Sequence, residues 1–196
     1  MLAIGEHALA RAAVAPDDTV LVIGTGPIGL GVIAAASIRG PRVLAVDLND
    51  QRSAFAAGLD LAEVVLPEPG APIADRLRDR LAGNLPTVVL DATGSVASMK
   101  AALGLVAPGG RLVLVGHTRH TLAFDNPTLH RGELSIVASR NATRVDFDAV
   151  LSHLRSGAVD VAPWITTRVD PEGLVRELPR WAAGPSEVVK AVVEFA

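Results

Sequence analysis

Apolar residues in this chain fall into short unbroken runs, separated by stretches in which they recur every three or four positions. The run Thr19-Val-Leu-Val-Ile23 is rich in β-branched residues and ends at glycines, which predicts a strand covered on both faces. Ile28 to Arg39, dense in small and apolar residues, predicts a helix packed on most sides. Arg42 to Asp47 predicts a second strand, Asp50 to Ala57 a short helix, and Glu63 to Leu66 a third, weaker strand. A loop through Pro67, Pro69 and Gly70 follows. In the next helix Ile73, Leu77 and Leu81 share a face, and Gly83 stops it.

The alternation continues with a strand over Thr87 to Asp91 and a helix over Ser95 to Val106, in which Ser95 is the N-cap. Val96, Met99, Leu103 and Val106 lie three or four apart on its buried side. Pro108-Gly109-Gly110 turns the chain into a strand over Arg111 to Gly116. Glu133 to Ser139 predicts a further strand, and Asp146 to Arg155 a helix stopped near Gly157. Repeated strand–helix units with near-continuous apolar strands predict an α/β fold, a doubly wound parallel sheet with helices on both faces.

The uncharged stretch Thr19 to Ile38, bounded by Asp18 and Arg39, is long enough to imitate a membrane span. Gly24, Gly26, Pro27, Gly29 and Gly31 stand in its middle, where such a helix would break, so strand, turn and helix fit better. The residues from Met1 to His7 show no cationic region before an apolar run, and a cytoplasmic protein is expected. Acids outnumber bases 21 to 18 without a basic run, which argues against nucleic acid as a partner. No Cys is present, which excludes disulfides, thiolate nucleophiles and thiolate metal sites. No Tyr is present, which removes Tyr-dependent mechanisms, and the lysines, Lys100 and Lys190, follow no P-loop pattern.

Candidate chemistry centres on Gly24-Thr-Gly-Pro-Ile-Gly29. The motif follows a predicted strand and opens a predicted helix, and Asp47 ends the next strand roughly 20 residues beyond the third glycine. Gly24 allows the tight turn, Gly26 lets a pyrophosphate approach the backbone, and Gly29 lets helix and strand pack closely. Free amides and the positive end of the helix dipole then face the phosphates, and Pro27 and Ile28 sit where no intrahelical donor is needed. Asp47 accepts from the adenosine ribose hydroxyls, at about 1.5–3 kcal/mol for a charge-assisted bond. Its charge repels a 2′-phosphate, which favours NAD over NADP. Arg52 has three readings: covering the adenine, swinging toward a 2′-phosphate, or simple solvation on its helix.

Taken together, Gly24 to Gly31, Asp47 to Arg52, Asp91-Ala-Thr-Gly94, Pro108 to Gly116 and Glu133 to Asn141 resemble the cofactor domain of zinc-dependent medium-chain dehydrogenases. The resemblance spans nearly the whole chain and is strongest to the polyol and sugar-acid branch, galactonate-type members above all. It implies that Gly26 to Gly29 hold the pyrophosphate and Asp47 the ribose. Thr93 and Gly94 would line the path to the nicotinamide. Val115, Gly116 and His117 would present backbone to the nicotinamide, with Arg140 and Asn141 beside it; a surface ion pair is the other reading of Arg140.

The resemblance also implies what is not in these residues. Family members bind zinc with a Cys, a His and usually a Glu from a separate amino-terminal domain, and the metal acidifies the substrate hydroxyl. Leu2 matches the Leu just after the last ligand, and His7, His117, His120, His130 and His153 make no ligand pair. No catalytic or metal residue is therefore assigned, and the chain alone is expected to be inactive. His7 is expected to cap or pack on the first helix. Residues 1–140 are expected to be the NAD-binding domain, and 141–196 to complete the absent catalytic domain. In that tail Ala162 to Val169 and Val188 to Phe195 would be strands without their sheet, either mobile, covering an edge or pairing with another copy. A homodimer through the edge strand near Glu133 to Ser139 is expected, acting on a small alcohol, polyol or sugar acid. Two other readings share the glycine turn: a methyltransferase binding S-adenosylmethionine, and a nucleotide sensor without catalysis.

Overall fold

In the computed structural model, which describes residues 1–68, 70–183 and 188–195, the apolar runs become strands of one sheet. Pro69, placed by the sequence in a loop, lies outside the described residues. The strands are Thr19–Ile23 (β1), Arg42–Val46 (β2), Glu63–Val64 (β3), Val88–Asp91 (β4), Arg111–Leu114 (β5) and Ser135–Ala138 (β6). Their spatial order is β3-β2-β1-β4-β5-β6, and every neighbouring pair is parallel. Parallel neighbours need crossovers, and the helices supply them: Pro27–Arg39 (α2), Asp50–Gly58 (α3), Ile73–Arg80 (α4), Val96–Ala102 (α5) and Asn126–Arg131 (α6). Leu2–Arg11 (α1) precedes the sheet and Arg144–Ser156 (α7) follows it.

Successive strand residues face opposite sides, so both faces need cover. Leu21, Leu44, Val89 and Leu112 form one cluster with Leu77 and Leu81 and with Ala102 to Val106. On the other face Val22 lies against Gly29 of α2. Val20, Leu21, Val22, Val88, Val89, Leu90, Leu112 and Val113 are fully buried, which is why β1, β4 and β5 read as continuous apolar runs.

Several elements differ from the expectations, among them α6, since no helix was expected over Asn126–Arg131. Paired strand covers only Glu63–Val64, with Val65 adding one amide bond to Ala45; Pro67 ends it, and Leu66 is exposed. The helix from Ser95 is α-helical only to Ala102 and tightens into a 3-10 turn, Leu103–Leu105, which buries both leucines and leads to the Ala107 amide bond with Pro86. The expected tail strands pair with each other: Ile165–Val169 (β7) and Lys190–Val193 (β8) form a separate parallel two-stranded sheet. Pro171–Ala182 (α8), which the sequence pattern did not reveal, connects them.

The chain divides into two compact units, Met1–Ser152 and His153–Ala196. The first extends to Ser152 because α7 is tied back to α1. Asp146 closes the first turn of α7 by accepting from the Thr143 amide at 2.6 Å and hydroxyl at 2.7 Å, and its Oδ2 also meets His7 Nδ1 at 2.9 Å. In the second unit Asp170 caps α8 through the Gly173 amide, and Arg168 pairs with Glu194 across β7 and β8.

Two further devices fix the first unit. Helix α1 crosses α2 with backbones in contact: a Cβ on Gly5 would lie 2.4 Å from the Gly31 carbonyl carbon. Glu6 of α1 pairs with Arg39 of α2 beside this crossing. At the N-terminal ends of the central strands, Asp18 accepts from the Thr87 hydroxyl at 2.6 Å, the Ala15 amide at 2.9 Å and Arg111 at 2.5 Å. Burial raises the Asp18 carboxyl, but these three donors outweigh it and hold it below its ordinary value of 3.8.

Gly5→Ala is expected to force the helices apart and cost about 1–3 kcal/mol in urea unfolding. Gly58→Ala, with nothing near its added carbon, should be neutral or slightly stabilising. Because the folded-state value of Asp18 is depressed, its stabilisation is full above 3.8 and is lost as pH falls through the lower, folded value. Asp18→Ala is therefore expected to be less stable than the parent at neutral pH, with the gap narrowing in acid. A gap constant down to about pH 2 would contradict this assignment.

Candidate functional site

Strand order reverses between β1 and β4, and the loops leaving their C-terminal ends diverge there, opening a crevice in such sheets. The turn from β1 into α2 stands at this point. Gly24 has φ +90°, a conformation that suits glycine, and donates its amide to Val46 at 2.8 Å, extending the β1–β2 ladder. A Cβ on Gly29 would lie 1.8 Å from the Gly24 carbonyl oxygen, so the helix starts as close to the strand as a backbone allows. Gly26 is the N-cap, with no side-chain cap, and Pro27 opens the helix. Among the described residues the amides of Gly26, Ile28 and Gly29 make no hydrogen bond. Three donors and the positive helix end thus converge on one place.

Asp47 follows β2 and reaches across to this turn. Its Oδ2 accepts from the Thr25 amide at 2.7 Å and from the Thr25 hydroxyl at 3.2 Å, and its Oδ1 accepts from the Asn49 amide at 2.9 Å. Asn49 caps α3 by accepting from the Arg52 amide at 2.9 Å. Arg52 is exposed, and its Nη1 comes within 3.9 Å of where a Gly26 Cβ would stand, so the guanidinium overhangs the glycine turn.

Loops after β4 and β5 form the other wall. Asp91 ends β4 fully buried; its Oδ1 accepts from the Thr93 amide at 2.9 Å and hydroxyl at 2.7 Å, and its Oδ2 from the Ser98 hydroxyl at 2.5 Å. The Asp91 carbonyl accepts the amides of Val115 and Gly116. Thr93 Cγ2 would touch a Cβ at Gly24, at 2.9 Å. Gly94 and Gly116 stack backbone on backbone: a Cβ on Gly116 would lie 2.3 Å from the Gly94 nitrogen, and one on Gly94 3.0 Å from the His117 oxygen. The structure thus brings together Gly24, Gly26, Gly29, Asp47, Arg52, Thr93, Gly94, Val115, Gly116 and His117. Arg140 and Asn141 follow β6 on the same edge of the sheet, both exposed, with Asn141 at φ +57°; neither hydrogen-bonds to the others among the described residues.

Sequence reasoning missed Thr25, Asn49 and Ser98 as members of this arrangement. Thr25 occupies the free position of the glycine motif, where spacing carries no signal. Asn49 and Ser98 act through turns whose side-chain bonds appear only in three dimensions. His7, expected to serve the first helix, instead bonds Asp146.

No Cys is present, and among the described residues no three His, Asp or Glu side chains cluster as metal ligands. The residues present therefore do not fit a zinc ion, whereas the open amides at the glycine turn and the acceptor at Asp47 fit a dinucleotide. No helix among the described residues is long and apolar enough to cross a membrane.

A family profile described as zinc-binding dehydrogenase matches residues 27–156. L-galactonate-5-dehydrogenase of Escherichia coli strain K12 is 36% identical over 194 residues, which is 98% of this chain and 56% of that protein. L-idonate 5-dehydrogenase of Vitis vinifera is 33% identical over 171 residues, 85% of this chain and 46% of that protein. The crystal structure of 2R,3R-butanediol dehydrogenase from Bacillus subtilis shares the fold, with a TM-score of 0.89 at 23% identity, covering 100% of this chain and 56% of that one. The chain spans about half the length of the curated relatives it matches. With a profile over most of its length and a sheet, a glycine turn and crevice loops in the arrangement described, the chain belongs to the zinc-binding dehydrogenase family, as its cofactor-binding part.

Proposed function

We propose that these residues bind NAD(H) along the crevice and serve as the cofactor half of an enzyme that moves hydride between a secondary alcohol and the nicotinamide. The observation that carries the reading is the set of open amides on Gly26, Ile28 and Gly29 at the N-terminus of α2, beside the Asp47 carboxylate. Bound NAD would supply a two-electron acceptor for hydride. The amides of the glycine turn hold its pyrophosphate, and Asp47 takes a ribose hydroxyl. Arg52 flanks the adenosine end. Thr93 and Gly94, fixed by Asp91, form the wall that the dinucleotide follows. Val115, Gly116 and His117 present backbone to the nicotinamide, and Arg140 and Asn141 stand beyond it.

The names of the relatives point to a polyol or sugar acid as the alcohol. The zinc named in the family's description finds no ligand cluster among the described residues, and no chemical step falls to a side chain of this chain. In a whole enzyme residues 141–196 would complete its catalytic domain, with residues up to Ser152 packed in the same compact unit as the sheet. A homodimer through β6 fits its place at the sheet edge, where Ser135 and Ala138 are exposed and Ile136 and Val137 only half-buried.

Calorimetric titration of the chain with NADH is expected to show one site, and titration with S-adenosylmethionine none. Binding of the latter alone would replace the dehydrogenase reading with a methyltransferase one. Asp47→Ala is expected to weaken NADH by about 1.5–3 kcal/mol, the worth of a charge-assisted hydrogen bond. An unchanged affinity would remove Asp47 from the site.

A further inference from the structure

Asp47 is not free to meet a ligand with its whole carboxylate. An ionised carboxylate offers roughly four acceptor directions, two on each oxygen. Oδ2 already carries two donors, the Thr25 amide at 2.7 Å and the Thr25 hydroxyl at 3.2 Å. Oδ1 carries one, the Asn49 amide at 2.9 Å, and so keeps a single open direction. Thr25 is only 2% exposed, so its hydroxyl has no water to turn to and directs its proton to Asp47. Leu48, between Asp47 and Asn49, is 90% exposed and leaves the remaining direction of Oδ1 open to solvent.

We infer that Thr25 is a positioning residue that sets cofactor specificity: its buried hydroxyl clamps the Asp47 carboxylate against the glycine turn. Only Oδ1 then reads a ribose hydroxyl, and the negative charge cannot swing out to admit a 2′-phosphate. The inference rests on the reading of this site as a dinucleotide site. Removing the hydroxyl leaves the Thr25 amide as the sole donor to Oδ2. The carboxylate, then held by the Thr25 and Asn49 amides alone, turns more freely, and a 2′-phosphate can approach the Arg52 guanidinium that already overhangs Gly26. A residue that merely packed would change the affinities for NADH and NADPH together. A clamp on the charge changes their ratio.

The test titrates the parent chain and the Thr25→Val, Thr25→Ala and Thr25→Ser variants with NADH and with NADPH, with urea unfolding as the check that each variant is folded. The parent is expected to favour NADH. The preference should fall about threefold to tenfold in Thr25→Val and Thr25→Ala, the worth of one hydrogen bond, and stay within about twofold of the parent in Thr25→Ser. If the second methyl of valine does not fit, Thr25→Ala carries the comparison. An unchanged ratio in a folded variant without the hydroxyl, or an equal loss in Thr25→Ser, would overturn the inference while leaving the dinucleotide site standing. A parent chain that binds NADH and NADPH equally would overturn it too. A parent chain that binds neither would instead overturn the functional reading on which it rests.

Discussion

A single backbone contact decides how this domain is built: the approach of Gly29 to the carbonyl of Gly24, closer than any side chain would allow. It brings α2 up against β1 with almost no connecting chain, so the first turn of the helix points its amides out of the sheet edge instead of into protein. The open amides of Gly26, Ile28 and Gly29 follow from this packing. The same closeness places Thr25 within reach of the loop after β2, which is how a carboxylate on the second strand becomes part of a turn made by the first.

The opposite wall is rigid for a different reason. Asp91 lies with no exposed surface in the middle of the sheet, yet its side chain is satisfied by Thr93 and Ser98 and its carbonyl by the loop after β5. Through its carboxylate and its carbonyl together, Asp91 holds three segments in one geometry, whereas a buried carboxylate without donors would be costly. Gly94 and Gly116 then let two turns stack without side chains between them. Both walls thus rest on close glycine contacts, and the second also on a buried carboxyl group with its donors built in.

Much of this was legible in the sequence because it rests on periodicity and spacing. Continuous apolar runs gave β1, β2, β4 and β5, and the distance from Gly29 to Asp47 marked the carboxylate facing the turn. What escaped was set by contacts rather than pattern. The Ser95 helix shows apolar residues at helical spacing through Val106, but Gly104 and the bend toward Pro86 change its last turn to 3-10 geometry. Helix α8 hides behind Pro179 and its charged residues, and without it the strands on either side had no visible route to each other. Thr25 carried no signal in the sequence, since the glycine motif tolerates any side chain there and only the fold reveals what it touches.

The bond between His7 and Asp146 joins residues 139 positions apart, enclosing all six strands of the main sheet within one loop of chain. Closing so long a loop costs entropy that a lone side-chain contact cannot offset until the intervening segments are in place. The pairing therefore belongs to the late, downhill side of the folding barrier, and its free energy shows up as a slower escape from the native state rather than a faster arrival.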